Sequence, residues 1–245
     1  MLLPFLLAAG GQTAISGDRT GLLQSSTLVP TGSTQLETGM RYGKERGGGD
    51  AASIPSALRY GLCADLELRA SNSLWNWAQR EGAADDSGLG PLSLGLKGPL
   101  DLSWVGIDLG WADSTAWIAD LRMPGGSLEG SPDSFSPSVS GVASWTPQNS
   151  LWQLSTQLGL AYDPDHLSLA VSMAASASHP VMDASNVYLE AGWFPRSILE
   201  PDPLFVGGGL ITRLSTDLQV DLGFDYGLGE TSGDWIVGLG LCWRW

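Results

Sequence analysis

Basic residues are scarce in this chain. Its 245 residues include 12 Lys and Arg against 26 Asp and Glu, a formal net charge of −14. Phosphate binding needs clustered Lys and Arg, so nucleic acid is not expected as a partner. Long apolar runs are missing as well. A membrane helix needs about 20 consecutive apolar residues, and the sequence contains no such run. The Ala/Glu/Lys/Leu periodicity of coiled coils and helical arrays is also absent. Histidine and cysteine occur only twice each.

That scarcity narrows the chemistry. Asp163-Pro-Asp-His166 brings three potential metal ligands together, but Pro and two acids ahead of a strand are ordinary turn chemistry. His179-Pro180 also reads as a turn. A barrel hydrolase needs a Ser–His pair with an orienting polar partner, and neither histidine sits in such a pattern. Gly47-Gly-Gly49 lacks the strand–helix context of a phosphate loop, and Asp85-Asp86 reads as a solvated loop. The expectation is therefore no enzyme, no cofactor and no bound metal. Cys63 and Cys242 are expected two to three strands apart, roughly 10–14 Å at about 4.8 Å per strand. A disulfide requires Cα atoms within about 7 Å, so they should remain unbridged.

What the chain has in quantity is Gly (33), Trp (11) and short alternating segments. Trp235, Val237, Leu239, Leu241, Trp243 and Trp245 fall on one face, and Ile236, Gly238, Gly240, Cys242 and Arg244 on the other. Leu218 to Leu228 repeats the pattern against Gln219, Asp221, Gly223, Asp225 and Gly227. Similar segments surround Leu36–Tyr42, Leu58–Tyr60, Leu66–Ala70, Leu92–Leu96, Trp117–Leu121, Trp152–Tyr162, Leu167–Met173, Val187–Trp193 and Leu204–Leu214, with a weaker one around Val139 and Trp145. Period-2 alternation is the mark of strands with two unlike faces. Tight connections at Leu62–Asp65, Pro147–Asn149 and Thr216-Asp217 alternate with longer polar ones at Gly43–Ala52, Asn72–Gly88, Pro124–Pro137 and Arg196–Pro203. Short turns on one rim and long loops on the other are the habit of outer-membrane barrels, and strands of about 9–11 residues suit a tilted bilayer crossing. Residues 98–115 do not fit, and Leu102–Trp111 reads as an extended connection.

The apolar face is expected outside. About eight strands already make an interior that side chains just fill, so about twelve strands with an apolar inside would leave a void. The polar face collects Arg41, Arg59, Arg69, Lys97, Arg122, Arg213 and Arg244 with Glu37, Glu67, Asp120, Glu190, Asp221 and Asp225. Mixed signs in near balance suit a wet lumen where charges pair across strands. Tyr42, Tyr60, Trp152, Tyr162, Trp193, Trp235, Trp243 and Trp245 lie towards strand ends on the apolar face, where half-wet aromatic rings prefer to sit. The fold expected is an all-β, closed, antiparallel, up-and-down transmembrane barrel of about twelve strands over residues 19–245. Residues 1–18 read as the remnant of an export signal plus a tail, since Met1–Gly10 is a short apolar run ending in small residues, without a basic start.

Several stretches resemble a known family. Ser33–Tyr42, Leu58–Leu62 and Asp65–Arg69 look like its opening three strands, and Gly88–Lys97 like its fourth. Leu121-Arg-Met-Pro-Gly-Gly126 resembles a strand ending in Leu-Pro-Thr-Gly, and Asp234–Trp245 resembles the closing strand. The family is that of transporter-like outer-membrane barrels named for the MetA pathway of phenol degradation, and the resemblance spans roughly residues 19–245. It departs at 98–115 and in ending on Trp rather than Phe. It implies an outer-membrane β-barrel that passes small or aromatic molecules. The functional expectation is passive passage of small solutes, aromatic or hydrophobic ones among them, with the charged lumen residues setting selectivity. The partners expected are outer-membrane lipid and lipopolysaccharide, the barrel-assembly machinery through the C-terminal strand, and the solute itself. A non-conducting structural or adhesive barrel acting through its acidic loops, and a secreted soluble β binding module, are the alternatives.

Overall fold

The computed structural model describes residues 14–18, 21–45, 49–79, 84–127, 131–195, 204–229 and 234–245. The strands are β1 (Thr34–Glu45), β2 (Gly49–Cys63), β3 (Leu66–Gln79), β4 (Asp86–Gly88), β5 (Ser93–Gly98), β6 (Ser114–Arg122), β7 (Ser136–Trp145), β8 (Gln153–Asp163), β9 (Ser168–Met182), β10 (Ser185–Trp193), β11 (Leu204–Arg213), β12 (Leu218–Gly227) and β13 (Trp235–Arg244). Each pairs antiparallel with its neighbour, and β1 pairs with β13 from Gln35↔Arg244 to Lys44↔Trp235. The short β4 and β5 both pair with β3 and occupy one place in the wall, so the closed barrel has 12 strands. Closure leaves no edge, the condition for strands to cross a bilayer with every ladder bond satisfied.

The faces are inverted relative to a soluble barrel. Met40 is 64% exposed and Leu239 59%, whereas Glu37 is 1% exposed and Lys97 and Glu67 are fully covered. A solvated outer face would show the opposite. Both chain termini of the barrel, Thr34 and Arg244, lie on one rim, here called the terminal rim. Tyr60, Trp152, Trp243 and Trp245 girdle the outside near it, while Tyr42, Tyr162, Trp193 and Trp235 girdle the opposite rim. Tyr42 and Trp235, neighbours across β1 and β13, have ring centroids 5.6 Å apart.

Three expectations about connections are corrected. Gly43–Ala52 is mostly strand: β1 runs to Glu45 and β2 begins at Gly49, and much of Asn72–Gly88 belongs to β3, which reaches Gln79 and pairs there with Asp50. These extensions mix charged and small residues, Lys44, Glu45 and Asp50 among them, and set Leu74 next to Trp75, so no alternation announces them. β2 and β3, at 15 and 14 residues, exceed the 9–11 expected. His179-Pro180 is likewise not a turn, because β9 continues to Met182. Small residues from Ala174 to Ser178 hide its periodicity, and Pro180 pairs with Asn186 beside a shift in register, where a proline is tolerated. The long connections also do not all gather on one rim: residues 99–113 sit on the terminal rim, and the opposite rim has a tight turn at residues 164–167. The loop expected at Arg196–Pro203 and residues 47 and 48 of the triglycine lie outside the described residues, as do residues 1–13.

No disulfide joins the cysteines. Cys63 ends β2 and Cys242 points inward from β13, two places along the wall. The Asp163–His166 segment behaves as a turn brace. Asp163 Oδ2 meets His166 Nδ1 at 2.8 Å, and Asp165 Oδ2 accepts the backbone N–H groups of Asp133 and Ser134.

Candidate functional site in the barrel lumen

Alternation alone determines which side chains enter the lumen. With Leu36, Thr38, Met40 and Tyr42 outside, β1 must turn Gln35, Glu37 and Arg41 inward, and the same parity carries Arg59, Glu67, Arg69, Lys97, Asp120, Glu190, Arg213, Asp221, Asp225 and Arg244 to the inner face. These groups are not spread evenly. β1, β2, β3, β5 and β6 place Glu37, Arg59, Glu67, Arg69, Lys97 and Asp120 together. Arg59 donates from Nε to Glu67 Oε1 at 2.7 Å and from Nη1 to Glu37 Oε1 at 2.8 Å. Arg69 Nε lies 3.9 Å from Asp120.

A second group faces it from β10 and β12, comprising Glu190, Asp221 and Asp225, with Tyr188 between them. Arg41 reaches across to Asp225 at 3.4 Å, and its own side chain is 41% exposed. Gly209 opens the space that Tyr188 fills: a Cβ there would meet the Leu222 carbonyl and the Tyr188 hydroxyl. Arg244 belongs to neither group. It is buried at the terminal rim, bonded through Nε and Nη2 to Asp217 in the β11–β12 turn. Arg122 stands exposed at the opposite rim, and Arg213 is half-buried near the terminal one.

The lumen is occupied by the chain itself. A strap, residues 14–18 and 21–33, enters at the terminal rim, where Ile15 N–H donates to Thr216 O, lies across the interior and is back at the rim at Gly32, whose N–H donates to Gly61 O. Between these points the strap touches the wall nearly all the way round. Asp18 N–H donates to Glu37 at 2.9 Å, Leu22 N–H to Glu190 at 2.7 Å, Gln24 N–H to Gln157 at 2.8 Å and Val29 N–H to Glu67 at 2.9 Å. Ser26 joins the hydroxyls of Ser114 and Ser144. The strap is irregular backbone, and inward polar side chains take the place of ladder partners for its N–H groups.

Asp18 is its main anchor. Its carboxylate lies 2.6 Å from Arg69 Nη1, 3.0 Å from Lys97 Nζ and 3.2 Å from Arg59 Nη1. Burial pushes this carboxyl's pKa up, but Arg59, Lys97 and Arg69 together outweigh burial and hold it well below the usual carboxylate range. Sequence reasoning placed Asp18 in a tail and did not foresee the strap, which has no alternation. The only trace of it was a basic trio on the inner face, Arg59, Arg69 and Lys97, facing a wall whose acids do not all lie within reach.

The strap does not fill the barrel. A polar cleft of about 280 Å³ remains between it and the wall from β7 to β12, lined in part by Ser155, Ser176, Tyr188, Glu190, Arg213 and Gln219. Among the described residues, no group of three or more His, Cys, Asp and Glu is arranged to hold a metal ion. Chemically the arrangement can bind water and small polar groups along a corridor of mixed charge.

The sequence matches a family described as "Putative MetA-pathway of phenol degradation" over residues 17–245. No curated protein matches the chain. Among solved structures, an outer membrane channel from Pseudomonas putida F1 superposes with a TM-score of 0.65 at 12% identity, covering 90% of this chain and 98% of that one. The beta domain of the Bordetella autotransporter BrkA gives 0.55 at 12% identity, covering 87% and 98%, and the KdgM porin gives 0.51 at 8% identity, covering 86% and 98%. At such identities the likeness is one of fold, that of outer-membrane β-barrels. The family match covers nearly the whole barrel and its strap, and the chain belongs to the family described by the MetA pathway of phenol degradation.

Proposed function

We propose that the chain is an outer-membrane channel for passive passage of small solutes, aromatic or hydrophobic ones among them, whose lumen the strap holds narrow. The observation that carries this reading is the polar cleft of about 280 Å³ left between strap and wall inside a closed barrel. A barrel built only as a brace has no need of a wet interior. The outer-membrane channel and porin with the same fold support the reading. In this proposal the terminal rim faces the periplasm, as in barrels generally, and the opposite rim meets lipopolysaccharide. The C-terminal strand β13, with Trp245 just after it, is presented to the assembly machinery.

Selectivity then belongs to charges that solutes can reach. Arg41, half-exposed in the lumen, and Arg122 at the mouth meet the solute first. Arg59, Glu37, Glu67 and Lys97, being buried, set the field and hold the strap.

The test is single-channel conductance of refolded protein in a planar bilayer, after heat-modifiable gel migration has shown a folded barrel. A small steady conductance whose ion preference moves towards cations in Arg41→Glu and Arg122→Glu supports the channel. A heat-modifiable barrel without conductance, in the native chain and in variants that loosen the strap, overturns it in favour of a structural or adhesive barrel.

A further inference from the structure

The connection between β5 and β6 does not hang into water below the rim. Its first part turns up onto the outside of the barrel. Thr115 points outward from β6, and its hydroxyl donates to Leu100 O at 2.8 Å. Gly141 points outward from β7, and a Cβ there would lie 3.2 Å from Leu100 Cδ2. At the other end Trp111 packs edge-on against the outward Trp145, centroids 5.0 Å apart. Residues 100–111 thus form a flap lying on the outer wall over β6 and β7.

The flap's large side chains are apolar and turned out, with Asp101 and Asp108 exposed beside them. Trp104 is 80% exposed, Trp111 54%, Ile107 50% and Val105 48%. Its backbone is turned in on itself. Val105 and Ile107 N–H donate to Leu102 O, Gly106 N–H to Ser103 O, and Ala112 N–H to Leu109 O. Asp101 and Asp108 accept the N–H groups of Ser103 and Gly110. A segment that pairs several of its own amides and turns its large apolar side chains out suits the half-wet boundary of a bilayer. The flap lies at the same rim as the outward Trp152, Trp243 and Trp245.

We infer that residues 100–111 are an interfacial anchor seated among the phospholipids of the leaflet at the terminal rim, with Trp104 at headgroup level. The inference rests on the membrane-barrel reading above and adds a binding surface to it. An open groove of about 460 Å³ runs between the flap and Thr115, lined by Leu100, Ile107 and Leu109 together with Asp101, Ser103 and Asp108, a mixed surface of the kind that headgroup and upper acyl chain meet.

The test uses the full-length protein refolded into phosphatidylcholine vesicles, some carrying bromine high on the acyl chains. The emission of Trp104 is taken as the difference between the native protein and Trp104→Phe, a substitution at an exposed site. The expected result is quenching of that difference by about twofold or more in brominated vesicles, with little quenching by aqueous iodide. An Ile107→Cys variant in a Cys63→Ser background, labelled with an environment-sensitive fluorophore, should emit as in an apolar medium. If bromine quenches the bulk tryptophan emission but not the Trp104 difference, which iodide then quenches, the flap inference is overturned and the barrel stands. If bromine quenches neither, both fall.

Discussion

Asp18 Oδ2 and Arg69 Nη1 are 2.6 Å apart, a bond between a residue ahead of the barrel and the third strand of its wall. With Lys97 and Arg59 on the same carboxylate, it is the point at which the strap is fixed. Asp18→Ala leaves a buried basic trio without its counter-charge. Removing one partner from a buried ion pair costs about 3–5 kcal/mol, enough to shift an open–closed equilibrium by more than about a hundredfold. The variant should show larger or more frequent conductance steps than the native protein in a planar bilayer. Unchanged traces would mean that Asp18 does not hold the strap.

The same carboxylate sets a pH dependence. Its pKa is depressed in the folded protein, so its contribution is present above the unfolded value of about 3.9 and is lost as pH falls through the lower folded value. Between neutrality and about pH 4 the strap should therefore stay seated, and only stronger acid should free it. Conductance recorded stepwise downward in pH should be flat and then rise below about pH 4. A rise centred near pH 6 would point to another group.

Arg59 is 1% exposed and bridges Glu37 and Glu67 while also holding Ser16 O and Thr27 O of the strap. Arg59→Met strands two buried acids, so the barrel should lose about 3–5 kcal/mol, measured by urea unfolding in lipid. His166→Ala breaks a pair with Asp163 whose side chains are 80% and 41% exposed at the opposite rim, and less than about 1 kcal/mol is expected. Equal losses would contradict the inside-out reading of these two sites.

Leu222 points outward from β12 and is 51% exposed. Leu222→Arg should destabilise by about 2–4 kcal/mol if that face meets lipid near mid-bilayer. Its inward neighbour Gly223 faces Tyr188. The same unfolding assay checks it, and no loss would argue that water covers the outer wall.

How much of this could be read from residues follows from what makes a pattern visible. Where one face is lipid and the other wet, as at Leu218–Leu228 or Trp235–Trp245, period-2 alternation assigns strand and facing together. Where strands rise beyond that contrast, as at Asp50 and Gln79, the pattern fades although pairing continues. It fades again where Ala and Ser fill both faces, as from Ala174 to Ser178. The strap was illegible for a different reason. Leu22 and Gln24 are held by side chains more than a hundred residues away, Glu190 and Gln157, and no local periodicity encodes contacts of that kind. The flap was visible only as a departure, since Leu102–Trp111 alternates too weakly to read as one more strand.

The seam between β1 and β13 joins the two ends of the folded chain, and the strap lies on the N-terminal side of that seam. The wall therefore cannot be sealed until the last strand has arrived, while the segment destined for the interior has waited since the start. Folding must deliver a charged thread to the centre before the final stave shuts, or draw it in afterwards through the terminal rim. The order of these two events is a question about time, and the bonds at Asp18 turn it into one about rates: ions that screen Arg69 and Lys97 should slow the step that seats the thread without slowing the closing of the wall.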